Sequence, residues 1–308
     1  MIADALYLRR IPARDQSGVA LLQVLLLSAL ISLLAIRFTE TARDQLEIVT
    51  QFEDRVRAQL KAYSTMNEVI FLELSQSKVT RLSSEDSSRR MPIDQLEIIL
   101  YGVPTDWREG VTVRLQDVNG LLPQIFPQHP MWKRLLARKS LQSQKINEYL
   151  GVWSDIQDSD IQGWSGDSEP VALPTGQTYL NGYAQNNNVI EWVFHDRPKM
   201  LAELLEVSHV YGAYDTNPAN YPSQLLYALL DAGIASAIIS LRENSELDAL
   251  KLQALLPMEL KENNVVSHNS GQFKLEVTVR LGTAIWSESH VISLSASSNP
   301  PFRVLLKR

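Results

Sequence analysis

Apolar and polar positions alternate on three different periods along this chain, and the periods divide it. From Val19 to Ile36 there is no alternation at all: eighteen residues carry no charge, and Gln23, Ser28 and Ser32 are their main polar members. A helix of that length covers about 27 Å, enough to cross a thin hydrocarbon core. From Leu46 the apolar residues recur every three or four positions, at Val49, Phe52, Val56, Leu60 and Tyr63, with Glu47, Glu53, Asp54, Arg57 and Lys61 between them. That spacing predicts an amphipathic helix continuing out of the apolar run, and no proline interrupts it before Pro92. The two together predict one helix from about Val19 to Ser75, half in a membrane and half packed on a globular head.

Beyond it the period changes again. Thr80 to Arg90 is rich in serine and charge and reads as a loop, and Asp94 to Leu100 as a short helix or strand. Gly110 to Asp117 alternates as a strand, and Asp117-Val118-Asn119-Gly120 supplies a turn. Helical spacing then takes over in Pro130 to Leu150, Lys199 to Val210, a segment opened by Pro222, Ile234 to Leu241, and Glu246 to Leu256, with a Gly- and Asp-rich loop running to about Gly182. Strict alternation returns in Phe273 to Leu281, whose hairpin partner is Ala284 to Leu294 across Gly282-Thr283, and Phe302 to Leu306 forms a last strand. Strand, helical block, strand predicts an α+β fold: a pilin-type helix, a head with an antiparallel sheet, and a large all-α domain inserted between strands. The expected boundaries are 1–18 as a leader, 19–36 as the membrane span, 37–129 as stem and first part of the head, 130–262 as the insertion, and 263–308 as the strands that complete the head.

Charge fixes the orientation of the anchor. Arg9, Arg10 and Arg14 precede the apolar run, and a balanced set follows it. The positive-inside bias places the N-terminus in the cytoplasm and the bulk of the chain outside. The chain of 308 residues has a net charge of −6 and no basic stretch beyond the leader, which argues against nucleic acid as a partner. With no cysteine, thiol catalysis, cysteine-ligated zinc and disulfides are excluded. No phosphate-cradling glycine loop, H-E-x-x-H or G-x-S-x-G occurs, and the five histidines are scattered, so the expectation is a protein that is not an enzyme.

The order of the leader and the apolar run is the most informative feature. A secretory signal is cut after its apolar stretch, at small residues. Here the junction with processing character, Ser17-Gly18-Val19-Ala20, lies before it. A plain signal-anchor helix is one reading of the run alone. The junction itself resembles that of the type IV pilin class, whose leader is cut on the cytoplasmic side and whose apolar helix stays on the mature protein.

Several segments in sequence sharpen that resemblance to the minor pseudopilin K family of bacterial type II secretion systems. They are Gly18-Val19-Ala20-Leu21-Leu22; Gln23 at the fifth position after the inferred cut; Asp117-Val118-Asn119-Gly120-Leu121; the spaced aspartates Asp155, Asp158 and Asp160; Met200 to Val207, similar to the family's EELL-x-V helix; and the closing strands ending in Lys307-Arg308. Two segments depart from the pattern: Asp215-Thr216-Asn217-Pro218-Ala219 is altered, and Ile156 stands where a tryptophan is usual. The resemblance implies cleavage between Gly18 and Val19 by a prepilin peptidase, methylation of the new N-terminus, and an inner-membrane protein with its C-terminal domain in the periplasm. It further implies partnership with the I and J minor pseudopilins. In that class a glutamate at mature position 5 is a partner for a neighbour's N-terminal amine. Gln23 cannot neutralise that charge, which implies a place at the tip of the pseudopilus, where no earlier subunit exists. Two alternatives are a minor pilin of a type IV pilus and a signal-anchored periplasmic enzyme or binding protein.

One loop carries candidate metal chemistry. From Asp158, oxygen side chains fall at relative positions 1, 3 and 5, with Gly163 at 6 and Glu169 at 12. That spacing wraps a hard cation. Gln162 is a weak ligand, and Pro170 and Pro174 deny the loop an outgoing helix, so an EF-hand is not expected. The residues alone read equally as a solvated acidic loop. The family resemblance implies Ca²⁺ in this domain, with Asp158, Asp160 and Glu169 as ligands and Asp155 or Asp167 as lesser ones.

Overall fold

A computed structural model describes residues 17–76, 99–160, 162–166, 176, 180–212, 214–261, 265–295 and 298–307. Its first element is α1, Ser17–Gln76, a single helix of 60 residues and so about 90 Å long. Gly18 is its only glycine and it holds no proline, so nothing in its sequence introduces a kink. Through Val19 to Ile36 its side chains are uniformly exposed. Within that span the hydroxyls of Ser28 and Ser32 donate to the carbonyls of Leu25 and Ser28, at 2.9 and 2.8 Å, so neither needs water.

The upper third of α1 packs on the head, and it does so with a different face from the stripe of large apolar residues that the spacing picks out. Leu46, Val49, Phe52, Leu60 and Tyr63 are all exposed, and Val56 is only partly covered. The sheet is met instead by Ala58, Ala62, Thr65, Met66, Val69, Ile70 and Leu72. Two alanines on this face let the helix axis approach the sheet closely, whereas the large residues stand on the opposite side. The upper helix therefore has two apolar faces, one buried and one open.

The head is a five-stranded antiparallel sheet: β1 (Thr105–Arg108), β2 (Val111–Asp117), β5 (Gln272–Leu281), β6 (Ala284–Leu294) and β7 (Phe302–Lys307), side by side in that order. Alternation decides its inner face. Val111, Val113 and Leu115 on β2 and Phe273, Leu275, Val277 and Val279 on β5 bury against α1, in register as Val113↔Val277 and Leu115↔Leu275. Glu68 of α1 receives Arg108 at 2.5 Å and Trp107 Nε1 at 3.3 Å, fixing the short strand β1. At the other end of the sheet, Gly282 holds φ at 53° in the β5–β6 turn and lies so close to the Asp54 carboxylate that a Cβ would overlap it.

Between β2 and β5, neighbours in the sheet, the chain makes a helical excursion. It contains α2 (Pro130–Arg138), α3 (Ser143–Gln157), α4 (Asn188–Val193), α5 (Pro198–Glu206), α6 (Ser223–Leu229), α7 (Ala232–Glu243), α8 (Ala249–Leu255) and α9 (Met258–Lys261), with a two-residue parallel ladder of β3 (Leu122–Pro123) and β4 (Ser208–His209). The expected helix from Pro130 to Leu150 is two helices, because Ser140 takes a left-handed turn at φ 60°. The expected helix to Val210 stops at Glu206, because Ser208 and His209 pair with Leu122 and Pro123. The excursion has its own core. Trp132 and Trp153 meet at 4.8 Å between ring centres, Phe194 stands edge-on to Trp153, and the Trp132 indole donates to the Pro123 carbonyl at 2.9 Å.

A polar joint ties this excursion to the head. Asp117, fully buried at the end of β2, accepts from Ser270 Oγ at 2.5 Å, Ser270 N at 3.1 Å and Asn220 Nδ2 at 2.7 Å. Gln116 donates to the Asn220 carbonyl at 2.9 Å. Arg242 of α7 donates to the carbonyls of Tyr221 and Pro218 and lies over the ring of Tyr101, 4.8 Å from its centre.

Candidate functional site

Two regions hold the residues singled out from the sequence. The first is the start of α1. Gly18 and Val19 both lie in helical backbone, and Val19 and Gln23 stand exposed on an uncovered helix. The junction expected to be cut lies inside the first turn of α1, and the Gln23 amide stands among exposed apolar neighbours.

The second is the acidic end of α3. Asp155 sits in its last turn rather than in the loop, because α3 runs on to Gln157, past the end expected at Leu150. Asp158 caps it, and Asp160 follows two residues on. Asp155 is 6% exposed, and its Oδ2 accepts the Trp164 backbone N–H at 2.9 Å. Asp160 Oδ1 accepts the Gln162 N–H at 2.8 Å. Asp158 Oδ1 is buried with no hydrogen-bond partner.

These groups strain against one another. Burial raises the Asp155 carboxyl above its ordinary value, the charges of Asp158 and Asp160 push it the same way, and the Trp164 N–H opposes them. Asp158 is raised by burial and then by Asp160. The negative end of the helix dipole points at the same place. The site thus concentrates negative charge at a helix C-terminus, which favours a cation. Among the described residues, however, no three acidic or histidine side chains converge into a cage for a metal ion. Asp167 and Glu169 fall outside the described residues.

A trough opens beside these carboxylates along one face of α3, with a volume of about 370 Å³. Its walls include Asn147, Ser154, Gln128 and Gln162, and Trp164 closes one side. Gly151 is the reason the tryptophan fits: a Cβ there would overlap the indole. The contact between Trp164 and Gly151 is not encoded by any local spacing in the sequence. The only local signal is the glycine itself, since a glycine inside a helical run calls for a packing reason.

The histidines occupy unrelated places. His129 caps α2 by accepting the Met131 N–H at Nδ1, His209 is buried in β4, His290 is buried on β6 beside Glu288, and His195 and His268 are exposed.

No family model matches the chain, and no curated protein does. Among solved structures it is similar to a chain from the crystal structure of the GspK–GspI–GspJ complex of the enterotoxigenic Escherichia coli type 2 secretion system. The identity is 14%, the TM-score 0.49, and the match covers 87% of this chain and 98% of that one.

Proposed function

We propose that this chain is a K-type minor pseudopilin of a type II secretion system, anchored in the inner membrane and placed at the tip of a short periplasmic filament. The observation that carries the reading is α1. A bare apolar segment long enough to span a bilayer runs without a break into the helix that forms the core of a sheet-built head. The open apolar face at Val49, Phe52, Leu60 and Tyr63 is what a helix needs to pack beside others of its kind. Prepilin peptidase would cut between Gly18 and Val19, and the I and J minor pseudopilins would be the neighbours.

Tip placement draws support from two features. Gln23 brings no carboxylate to meet a preceding subunit's amine, and the helical excursion between β2 and β5 adds bulk on one side of the head. Immunogold labelling of filaments should find one or very few copies at an end, and Gly18→Phe should leave filaments unlabelled. Copies distributed along the length of each filament would refute the reading.

We also propose that the acidic end of α3 takes Ca²⁺, with Asp158, Asp160 and Glu169 as principal ligands and Asp155 or Asp167 assisting. The group fits the unbalanced charge there and the buried, unpartnered Asp158 oxygen. Its role would be to fix the loop against α3. A cation bound only by the folded state stabilises it by ~2.7 kcal/mol at a hundredfold excess over Kd. Melting of the detergent-solubilised chain should shift downward by several degrees in chelator, and Asp158→Ala with Glu169→Ala should abolish that shift. An unmutated chain that melts identically with and without chelator would count against the site.

A further inference from the structure

The trough on α3 has chemistry that neither filament assembly nor a single cation accounts for. Asn147, Leu150, Gly151, Ser154, Asp155 and Asp158 recur every three or four residues, so they form one continuous face of the helix, ~16 Å from end to end. Across from that face stand Gln128, whose amide donates to Ser154 Oγ at 3.2 Å, and Gln162. Trp164 lies along the middle, 48% exposed, with one side of its indole against Gly151. Its backbone is held by the Asp155 carboxylate, so the platform is fixed rather than a loose surface side chain.

The lining selects the ligand. Among the described residues no lysine, arginine or histidine borders the trough, so none of them recognises a phosphate or a carboxylate there. Four uncharged groups, from Gln128, Asn147, Ser154 and Gln162, both donate and accept hydrogen bonds. The Asp155 carboxylate, one oxygen of which holds the Trp164 N–H, borders the trough as an acceptor for hydroxyl donors. An indole face is electron-rich and apolar, and it matches the C–H face of a pyranose ring. A compact ammonium ion would use only the carboxylate end and leave the rest of the face empty. An elongated ligand that is neutral, dense in hydroxyls and apolar on one side uses all of it. The volume of about 370 Å³ suits a small organic ligand.

We propose that this trough binds a neutral oligosaccharide, with a pyranose ring seated on the free face of Trp164 and ring hydroxyls bonded to Asn147, Ser154, Gln162 and the Asp155 carboxylate. The assignment does not depend on the filament reading, because it rests on the lining of the trough alone.

The full chain, solubilised in a detergent without a sugar headgroup and in calcium-containing buffer, would be titrated with maltotriose, cellotriose and chitotriose. Tryptophan fluorescence gives the signal, and calorimetry gives an independent readout. At least one trisaccharide should bind saturably, Trp164→Ala should weaken it at least tenfold, and Trp164→Phe should retain part of the affinity. Asn147→Ala, on an exposed part of α3, should weaken binding severalfold without altering the melting temperature, which keeps the test valid if loss of Trp164 disturbs the loop. Three results would overturn the proposal: no saturable binding of any trisaccharide up to about 20 mM, binding indifferent to both substitutions, or binding of arginine amide in place of the sugars, which would make the trough a socket for a basic side chain.

Discussion

An Asp117→Ala chain is expected to lose about 2–3 kcal/mol of stability, the cost of removing the one buried acceptor that several donors share. The carboxylate collects Ser270 Oγ, Ser270 N and Asn220 Nδ2, from positions 153 and 103 residues further along the chain. Ser270 Oγ and Asn220 Nδ2 keep second acceptors, the Gln272 carbonyl at 2.7 Å and Asn269 Oδ1 at 3.2 Å, so the Ser270 N–H bears the largest loss. Burial pushes the Asp117 carboxyl above its ordinary value, ahead of the hydrogen bonds that pull it down. The charge is therefore only partly compensated, and Asp117→Asn, which keeps an acceptor and the shape, should cost much less. Denaturant midpoints on the solubilised chain measure both. Hydrogen exchange should localise the loss to the Asn119, Asn220 and Ser270 amides. An alanine variant within 1 kcal/mol of the unmutated chain would show that the joint is held by Arg242 and packing instead.

Acid should weaken the fold well above the carboxylate range. His209 is buried with neither ring nitrogen in good hydrogen-bond geometry, and burial lowers its pKa to about 3, offset only in part by the Leu121 backbone. His129 is lowered to about 4, again by burial, against a contribution from Tyr214. Both are depressed below the unfolded value near 6.5, so the unfolded chain takes up protons first. Their stabilising contribution is complete above pH 6.5 and falls as the pH drops from there towards about 4 and 3. At pH 5 each costs about 2 kcal/mol. For His129 the loss has a visible cause, since a protonated Nδ1 can no longer accept the Met131 N–H at the start of α2. Denaturation between pH 7.5 and 5 should show a steady decline, and His209→Gln or His129→Gln should remove about half of the slope. A flat profile over that interval would contradict the assignment of both as neutral and buried.

The parts of the fold that sequence exposes are those where one residue class repeats on one period. The uncharged run from Val19, the alternation through β2, and the β5–β6 hairpin with Gly282 at its turn are of this kind. The packing face of α1 is not. Periodicity picks out the largest apolar residues, Val49, Phe52 and Leu60, whereas close approach to a sheet selects small ones, Ala58 and Ala62. Each face is apolar, and only the tertiary partner distinguishes them. β1 is too short to alternate, and its place is set by Glu68 of α1. At the candidate cation site, spacing located Asp158 and Asp160, but Asp155 belongs to a helix whose extent the sequence understated. Asp117 could be read as a turn residue. Its bond to Ser270 could not, since nothing local encodes a partner so far along the chain.

The unbroken course of α1 has a mechanical consequence. A helix without proline, and with its only glycine at the start, has no weak point at which to fold under load. Its lower part stands clear of the head up to Asp54, and its upper part is clamped to the sheet through Ala58, Ala62 and the Glu68–Arg108 pair. Asp117 and Arg242 then join the sheet to the helical excursion. A thrust applied along the axis at the N-terminal end meets no proline or internal glycine at which to bend. The geometry is that of a push-rod, with the foot of α1 joined to the excursion through packed and hydrogen-bonded contacts.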